Sequence, residues 1–368
     1  MKIDHFREVR NLSCSRTAAH VSTARPSNLQ VMTGTAGRAP NIRDVARQAG
    51  VSYQTVSRVL NDSPSIRSST REQVLRVIDE LGYRPNPAAR ALVTSRSGII
   101  GVLSSQSALY GPTTSIQAIE VAARAAGYRL SVTSISMGDS ASIRSGLDFL
   151  LSQSIEALVV LAPQVGVFEA LTEISIGVPF VTLEAPGLDP GRSISVDQTR
   201  GARMAVRHLI DLGHTDIVHL AGPSDWLEAH ARLDGYRTEL LESGLTPLAQ
   251  VVGDWTAEFG YRVGRELLAA RNFTAVFCGN DQMALGFLHA CRDAGIDVPG
   301  KISVVGFDDT PESAHFAPGL TTIRQNFVEI GNRAIALLLA ELGGETTLDH
   351  EPIAPELIVR ASTGPASS

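Results

Sequence analysis

The sequence predicts a small all-α head joined to a larger α/β body built on two mostly parallel sheets. Three observations carry this. Residues 42–82 hold three short helical segments, "IRDVARQAG", "YQTVSRVLN" and "TREQVLRVIDELG". From residue 98 onward, short apolar runs alternate with amphipathic helical patterns, the signature of buried parallel strands connected by helices. The charge also divides: residues 1–96 carry 15 Lys+Arg against 7 Asp+Glu, net +8, while residues 97–368 carry 17 against 31, net −14. A basic front on an acidic body suits a module that meets a polyanion, carried by one that does not.

At 368 residues the chain has room for two or three domains. No apolar run reaches the ~18 residues of a membrane span, and residues 1–40 lack the basic start and apolar stretch of a signal peptide. A cytoplasmic protein with no membrane contact is expected. Cys14, Cys278 and Cys291 are odd in number and scattered, which supports neither a disulfide framework nor a zinc site.

Residues 1–40 mix Ser, Thr, Ala, Arg and Gly without periodicity and read as a disordered extension. In the head, Gly50 stands where the first helix must turn into the second, and Ser52 and Ser69 stand at N-cap positions. Val45, Ala49, Val51, Val56, Leu60, Val74, Val77 and Leu81 can close one small core. With Ser52 as cap, about 100° per residue puts Tyr53, Gln54, Ser57 and Arg58 on one arc and Val56, Val59 and Leu60 on the opposite one. Pro85 and Pro87 then block continuation of the third helix, and the Ala-rich piece from Pro87 to Val93 is too short to be a stable helix alone.

In the body, ligands of open α/β folds bind beyond the carboxyl ends of the strands. The residues there are Ser105 after "GVLS", Glu184 after "FVTL", Asn280 and Asp281 after "VFCG", and Asp308 and Asp309 after "VVGF". Arg232 and Trp255 join them. Carboxylates, an amide, a guanidinium and an indole suit a polyhydroxylated ligand, whose hydroxyls meet the planar groups and whose ring meets the indole. Asp309 reads equally as a turn or cap residue. A glycosidase pair of carboxylates is disfavoured, because adjacent carboxylates on one loop point apart. No Gly-x-Ser-x-Gly elbow, Walker loop or His-Glu-x-x-His motif occurs. The chain reads as a non-enzyme with no cofactor or metal.

The motifs "IRDVARQAGVSYQTVSRVLN", "TREQVLRVIDELGYRPNPAARAL", "GHTDIVHLAGP", "ARLDGY", "GNDQMALG" and "ISVVGFDDT" together resemble the lac repressor family of bacterial transcription regulators, from about Ile42 to Gly364. "SYQTVSRV" and "GNDQMALG" look closest to its lac-type members. The resemblance implies a helix-turn-helix head (41–86), a hinge helix and linker (87–97), and a periplasmic-binding-protein-like core (98–364), followed by a tail (365–368). The core would divide into subdomains of about 98–196 plus 325–354, and 197–324 plus 355–364.

It further implies that Tyr53, Gln54 and Arg58 enter the major groove. Ser52, Thr55, Ser57 and Asn61 would support them at phosphates or as caps, and Leu92 would wedge into the minor groove. Family effector positions fall on Ser105, Glu184, Arg232, Trp255, Asn280 and Asp308, with Gln325 and Phe327 nearby. Glu184 departs from the shorter aspartate of lac-type members. The implied partners are a pseudo-palindromic operator, a small sugar effector such as a galactoside, and a second copy of the chain. A small molecule acting as corepressor, or an activator role, is the alternative. The absence of a leucine-heptad tail after "PELIVRASTG" implies dimers rather than tetramers.

Overall fold

The computed structural model describes residues 38, 40–84, 96–105, 109–135, 140–161, 164, 167, 176–184, 192–270, 272–345 and 351–367. The chain divides into two compact units, residues 1–85 and 86–368. The expected disordered extension and the hinge piece with Leu92 lie outside the described residues, apart from Arg38, Pro40 and the hinge's last two residues, Arg96 and Ser97.

The first unit holds three helices: α1 (Ile42–Gln48), α2 (Tyr53–Leu60) and α3 (Ser68–Leu81). A capping box starts α1. The Asn41 side chain accepts from the Asp44 N–H, and the Asp44 carboxylate accepts from the Asn41 N–H at 2.9 Å. Gly50, at φ 62°, makes the left-handed turn into α2 that an L side chain would resist. The Ser52 hydroxyl then accepts from the Thr55 N–H at 3.1 Å, the cap expected of it.

Ser69 departs from expectation. The third helix begins at Ser68, so Ser69 lies inside it, and Arg67 holds the cap position without a side-chain bond. The exit from the preceding loop is held instead by Arg71, which pairs with Asp62 at 2.6 Å and donates to the Ser63 carbonyl. Val45, Ala46, Ala49, Val56, Val59, Val74 and Val77 form the buried centre, with Val51, Leu60 and Leu81 packed around it.

The second unit contains two parallel sheets. The first runs in the order β2 (Arg129–Ile135), β1 (Ile99–Ser105), β3 (Ala157–Leu161), β4 (Phe180–Leu183), β5 (Ser193–Ile194). The second runs β7 (Val251–Val252), β6 (Ile217–Ala221), β8 (Ala275–Cys278), β9 (Ser303–Val305). An antiparallel pair, β10 (Thr322–Arg324) with β11 (Glu356–Ile358), completes the strands described. Strands β1, β3, β6 and β8 are buried almost throughout, which is why they read as continuous apolar runs.

Helices α4 (Tyr110–Ala125) and α5 (Ser140–Ser152) follow the first strands, and α6 (Gln198–Asp211), α7 (Leu227–Glu242), α8 (Ala257–Ala270) and α9 (Asp281–Asp293) belong with the second sheet. The last helix, α10 (Phe327–Leu342), returns to the first sheet. Its Phe327, Ile330, Ala334 and Leu338 share a core with Ile100, Val102 and Val159. Gly331 permits this, since a Cβ there would meet the backbone of Ala118 on α4. The chain thus crosses from one sheet to the other and back, and the strand ends of both are brought to one cleft.

Candidate functional site

The helical unit presents α2 as the sequence implies. Val56 and Val59 face inward, while Tyr53 (55% exposed), Gln54 and Arg58 face solvent together. Thr55 and Ser57 are half-buried, the Thr55 hydroxyl lying 2.9 Å from that of Ser52. Asn61 ends the helix and donates to the Ser57 hydroxyl at 3.5 Å. Tyr53, Gln54 and Arg58 make no side-chain hydrogen bond among those described, so phenol, amide and guanidinium are available together on about two turns. Such a face can contact base edges in a groove as wide as a helix.

In the second unit a cleft opens at the carboxyl ends of the strands. Seven of the eight residues expected there line it: Glu184, Arg232, Trp255, Asn280, Asp308, Gln325 and Phe327. The eighth is Ser105. Ser105 ends β1 fully buried, its hydroxyl without a hydrogen-bond partner among the described residues, and it does not line the cleft.

Arg232 lies at the centre. Its Nε donates to Gln198 Oε1 at 3.0 Å, its Nη1 to the Gly279 carbonyl, and its Nη2 stands 3.7 Å from Asp308 Oδ1. The guanidinium also lies 3.9 Å from the Phe307 ring centroid and 5.4 Å from that of Trp255. Gln198 extends the network, donating to Glu184 Oε2 at 3.0 Å and to Gln325 Oε1 at 2.8 Å, and Gln325 donates to Asp308 Oδ1 at 2.7 Å. Asn280 has two tasks: its Oδ1 caps α9 at the Met283 N–H, and its Nδ2 donates to the Trp255 carbonyl.

Glu184, Trp255 and Asp308 have φ of 56°, 68° and 115°, a region non-glycine residues avoid at about 1–3 kcal/mol each. Strained backbone therefore sits on three residues of the cleft. Glycine makes the space for one of them, because a Cβ at Gly222 would overlap the Trp255 ring.

Burial pushes the Glu184 carboxyl up to about 7, against hydrogen bonds from Gln198 and the Val196 N–H. Burial likewise pushes Asp308 up to about 6, against the nearby Arg232 charge. In the unfolded chain both carboxyls ionise near their ordinary 4.5 and 3.8. Between those values and 6–7 the unfolded state therefore binds fewer protons, and their contribution to stability falls as pH rises. Glu184→Gln should remove part of that slope. In thermal melts its stability relative to wild type should rise from pH 5 to pH 8; an unchanged difference would place the Glu184 carboxyl outside this titration.

Asp309 resolves differently from Asp308. It faces away into ion pairs with Arg360 at 2.6 Å and Arg324 at 2.7 Å, and although burial opposes them, these hold its carboxyl below the usual range. Asp281 is buried and accepts from the Thr310 N–H and the Thr322 hydroxyl. Burial raises its carboxyl to about 8, and it braces the loop that carries Asp308.

Sequence reasoning missed four participants: Tyr110, Trp226 and Glu228 line the cleft, and Gln198 links its polar groups. None follows an apolar strand directly. Tyr110 starts α4 five residues before Ser115, where the sequence pattern begins, and Trp226 and Glu228 open α7. A tryptophan beside an acid at a helix start was the available signal.

An exposed recognition helix in one unit, and in the other a polar cleft at the carboxyl ends of two sheets, define a ligand-sensing DNA-binding regulator. Residues 41–86 match the bacterial regulatory proteins, lacI family, and residues 206–363 match a periplasmic binding protein-like domain. The chain is 35% identical to the lactose operon repressor of Escherichia coli (strain K12) over 326 residues, covering 87% of this chain and 89% of the relative. It is 36% identical to the HTH-type transcriptional regulator GalR of the same organism, covering 81% of this chain and 88% of that one. The structure of a lac repressor dimer bound to operator and the anti-inducer ONPF superposes with a TM-score of 0.80 at 34% identity, covering 89% of this chain and all of that chain. The chain belongs to the lacI family of DNA-binding transcriptional regulators.

Proposed function

We propose that the protein is a homodimeric, cytoplasmic repressor of a carbohydrate-utilisation operon, released from a pseudo-palindromic operator by a small sugar, a galactoside. In this reading residues 41–86 bind DNA, 87–97 form the hinge with Leu92 as minor-groove wedge, and 98–364 bind the effector and dimerise. The observation that carries it is the cleft itself. A guanidinium, carboxyls, amides and an indole converge on a space suited to a polyhydroxylated ring.

Tyr53, Gln54 and Arg58 read bases, with Ser52, Thr55, Ser57 and Asn61 positioning the helix. Arg58→Ala is expected to weaken specific binding by about 1–3 kcal/mol, the worth of a bidentate base contact, and to leave binding to random DNA nearly intact. Titration of both DNAs at one salt concentration tests this; an equal loss on each would assign Arg58 to phosphates. Adding galactosides to the operator complex tests the effector, and release of DNA is the expected result. Tighter operator binding on adding sugar would make the ligand a corepressor.

A further inference from the structure

Resting on the sugar-binding reading above, we infer that Glu228 sets ligand specificity by taking the ammonium group of an amino sugar held in the cleft beside Trp226 and Trp255. Three carboxyls line the cleft, Glu184, Asp308 and Glu228, against one guanidinium, Arg232. Two of the three are provided for. Asp308 has Arg232 at 3.7 Å and the Gln325 amide at 2.7 Å, while Glu184 accepts from Gln198 and from the Val196 N–H. Glu228 is different: the residue as a whole is only half-buried, yet its Oε2 is sealed from solvent and has no hydrogen-bond partner among the described residues.

A second group points independently to a missing ligand. Trp255 is 4% exposed, lines the same cleft, and its indole Nε1 also has no partner among the described residues. Buried polar atoms are ordinarily satisfied, and two left open in one cavity mark where a bound molecule supplies the complement. Trp226 meets Trp255 edge to face, with ring centroids 5.8 Å apart, and gives the cleft an aromatic corner next to Glu228. A sugar ring can lie in that corner.

Charge selects the donor. Burial and the neighbouring Glu184 charge raise the Glu228 carboxyl well above its ordinary range, although Arg232 and its own backbone N–H oppose them. Burial beside Glu184 thus disfavours the charged form of Glu228. A hydroxyl donor leaves the two carboxyls in conflict, whereas an ammonium between them offsets both and allows Glu228 to ionise. The position favours the ionised form once the cation is present, because Glu228 lies in the first turn of α7, where the helix dipole attracts negative charge.

The test is calorimetric titration of the full chain with galactosamine and glucosamine against galactose, glucose and N-acetylgalactosamine. The amines should bind about tenfold or more tightly than their neutral counterparts. Glu228→Gln should erase that preference, the ratio of amine to neutral-sugar affinity falling to about one. A second measurement needs no variant: repeating the wild-type titration over a pH series, in buffers of different ionisation heat, should show proton release on binding each amine and none with neutral sugars. Neutral sugars that bind as well as the amines, a preference that survives in Glu228→Gln, or no proton release would each overturn the role of Glu228. Failure of every sugar to bind, in protein that still binds operator, would overturn the sugar reading as well.

Discussion

Arg232→Ala is expected to abolish the effect of ligand on operator binding and to lower the stability of the second unit by about 3–5 kcal/mol, the range for breaking a buried ion pair from one side. The side chain is 6% exposed, and its removal leaves Asp308 without its cation and Gln198 Oε1 and the Gly279 carbonyl without donors. The Phe307 face loses its covering guanidinium at the same time. Arg232→Lys should recover part of the stability, since it restores a charge, but not the ligand response, since an ammonium cannot reproduce the planar fork that reaches three partners. Thermal unfolding with ligand titration on both variants checks this. An alanine variant that melts like wild type and still responds to ligand would remove Arg232 from the centre of the site.

Val56→Asp should have the largest effect on DNA binding. Val56 is completely buried at the middle of the helical core. An unpaired carboxylate there costs several kcal/mol, and a unit of three short helices has little stability to lose. Operator binding should fall below detection, while the melting transition of the second unit and its affinity for ligand stay unchanged, because the residues packed with Val56 all belong to the first unit. Calorimetric unfolding resolves the two transitions. A shift in both would show that the units do not unfold independently.

The two units were legible to different depths. In the head, the contacts that decide structure are local. A serine three residues before a free N–H, a glycine at a left-handed turn and valines at helical spacing specify α2 and its core from a dozen neighbouring residues, and the polar arc of Tyr53, Gln54 and Arg58 follows from the same period. The misplaced cap at Ser69 arose where a non-local partner intervened, since Arg71 holds the preceding loop through Asp62 and Ser63. In the body, buried parallel strands announced themselves as apolar runs, but β5, β7, β10 and β11 are two or three residues long and carry no period to detect.

What the sequence by itself determined is the order of strands and helices, the exposed face of α2, and the residues that follow each strand, because each depends on near neighbours and on burial. What only the tertiary structure decided is which of those strand ends meet. Gln198 joins Glu184, Arg232 and Gln325 across gaps of 14, 34 and 127 residues. Ser105 is not among the residues lining the cleft, and Glu228, which lines it, has an oxygen with no hydrogen-bond partner among the described residues. Hydrogen bonding and charge between groups so far apart in the chain depend on distance and orientation after folding, and spacing along the sequence carries neither.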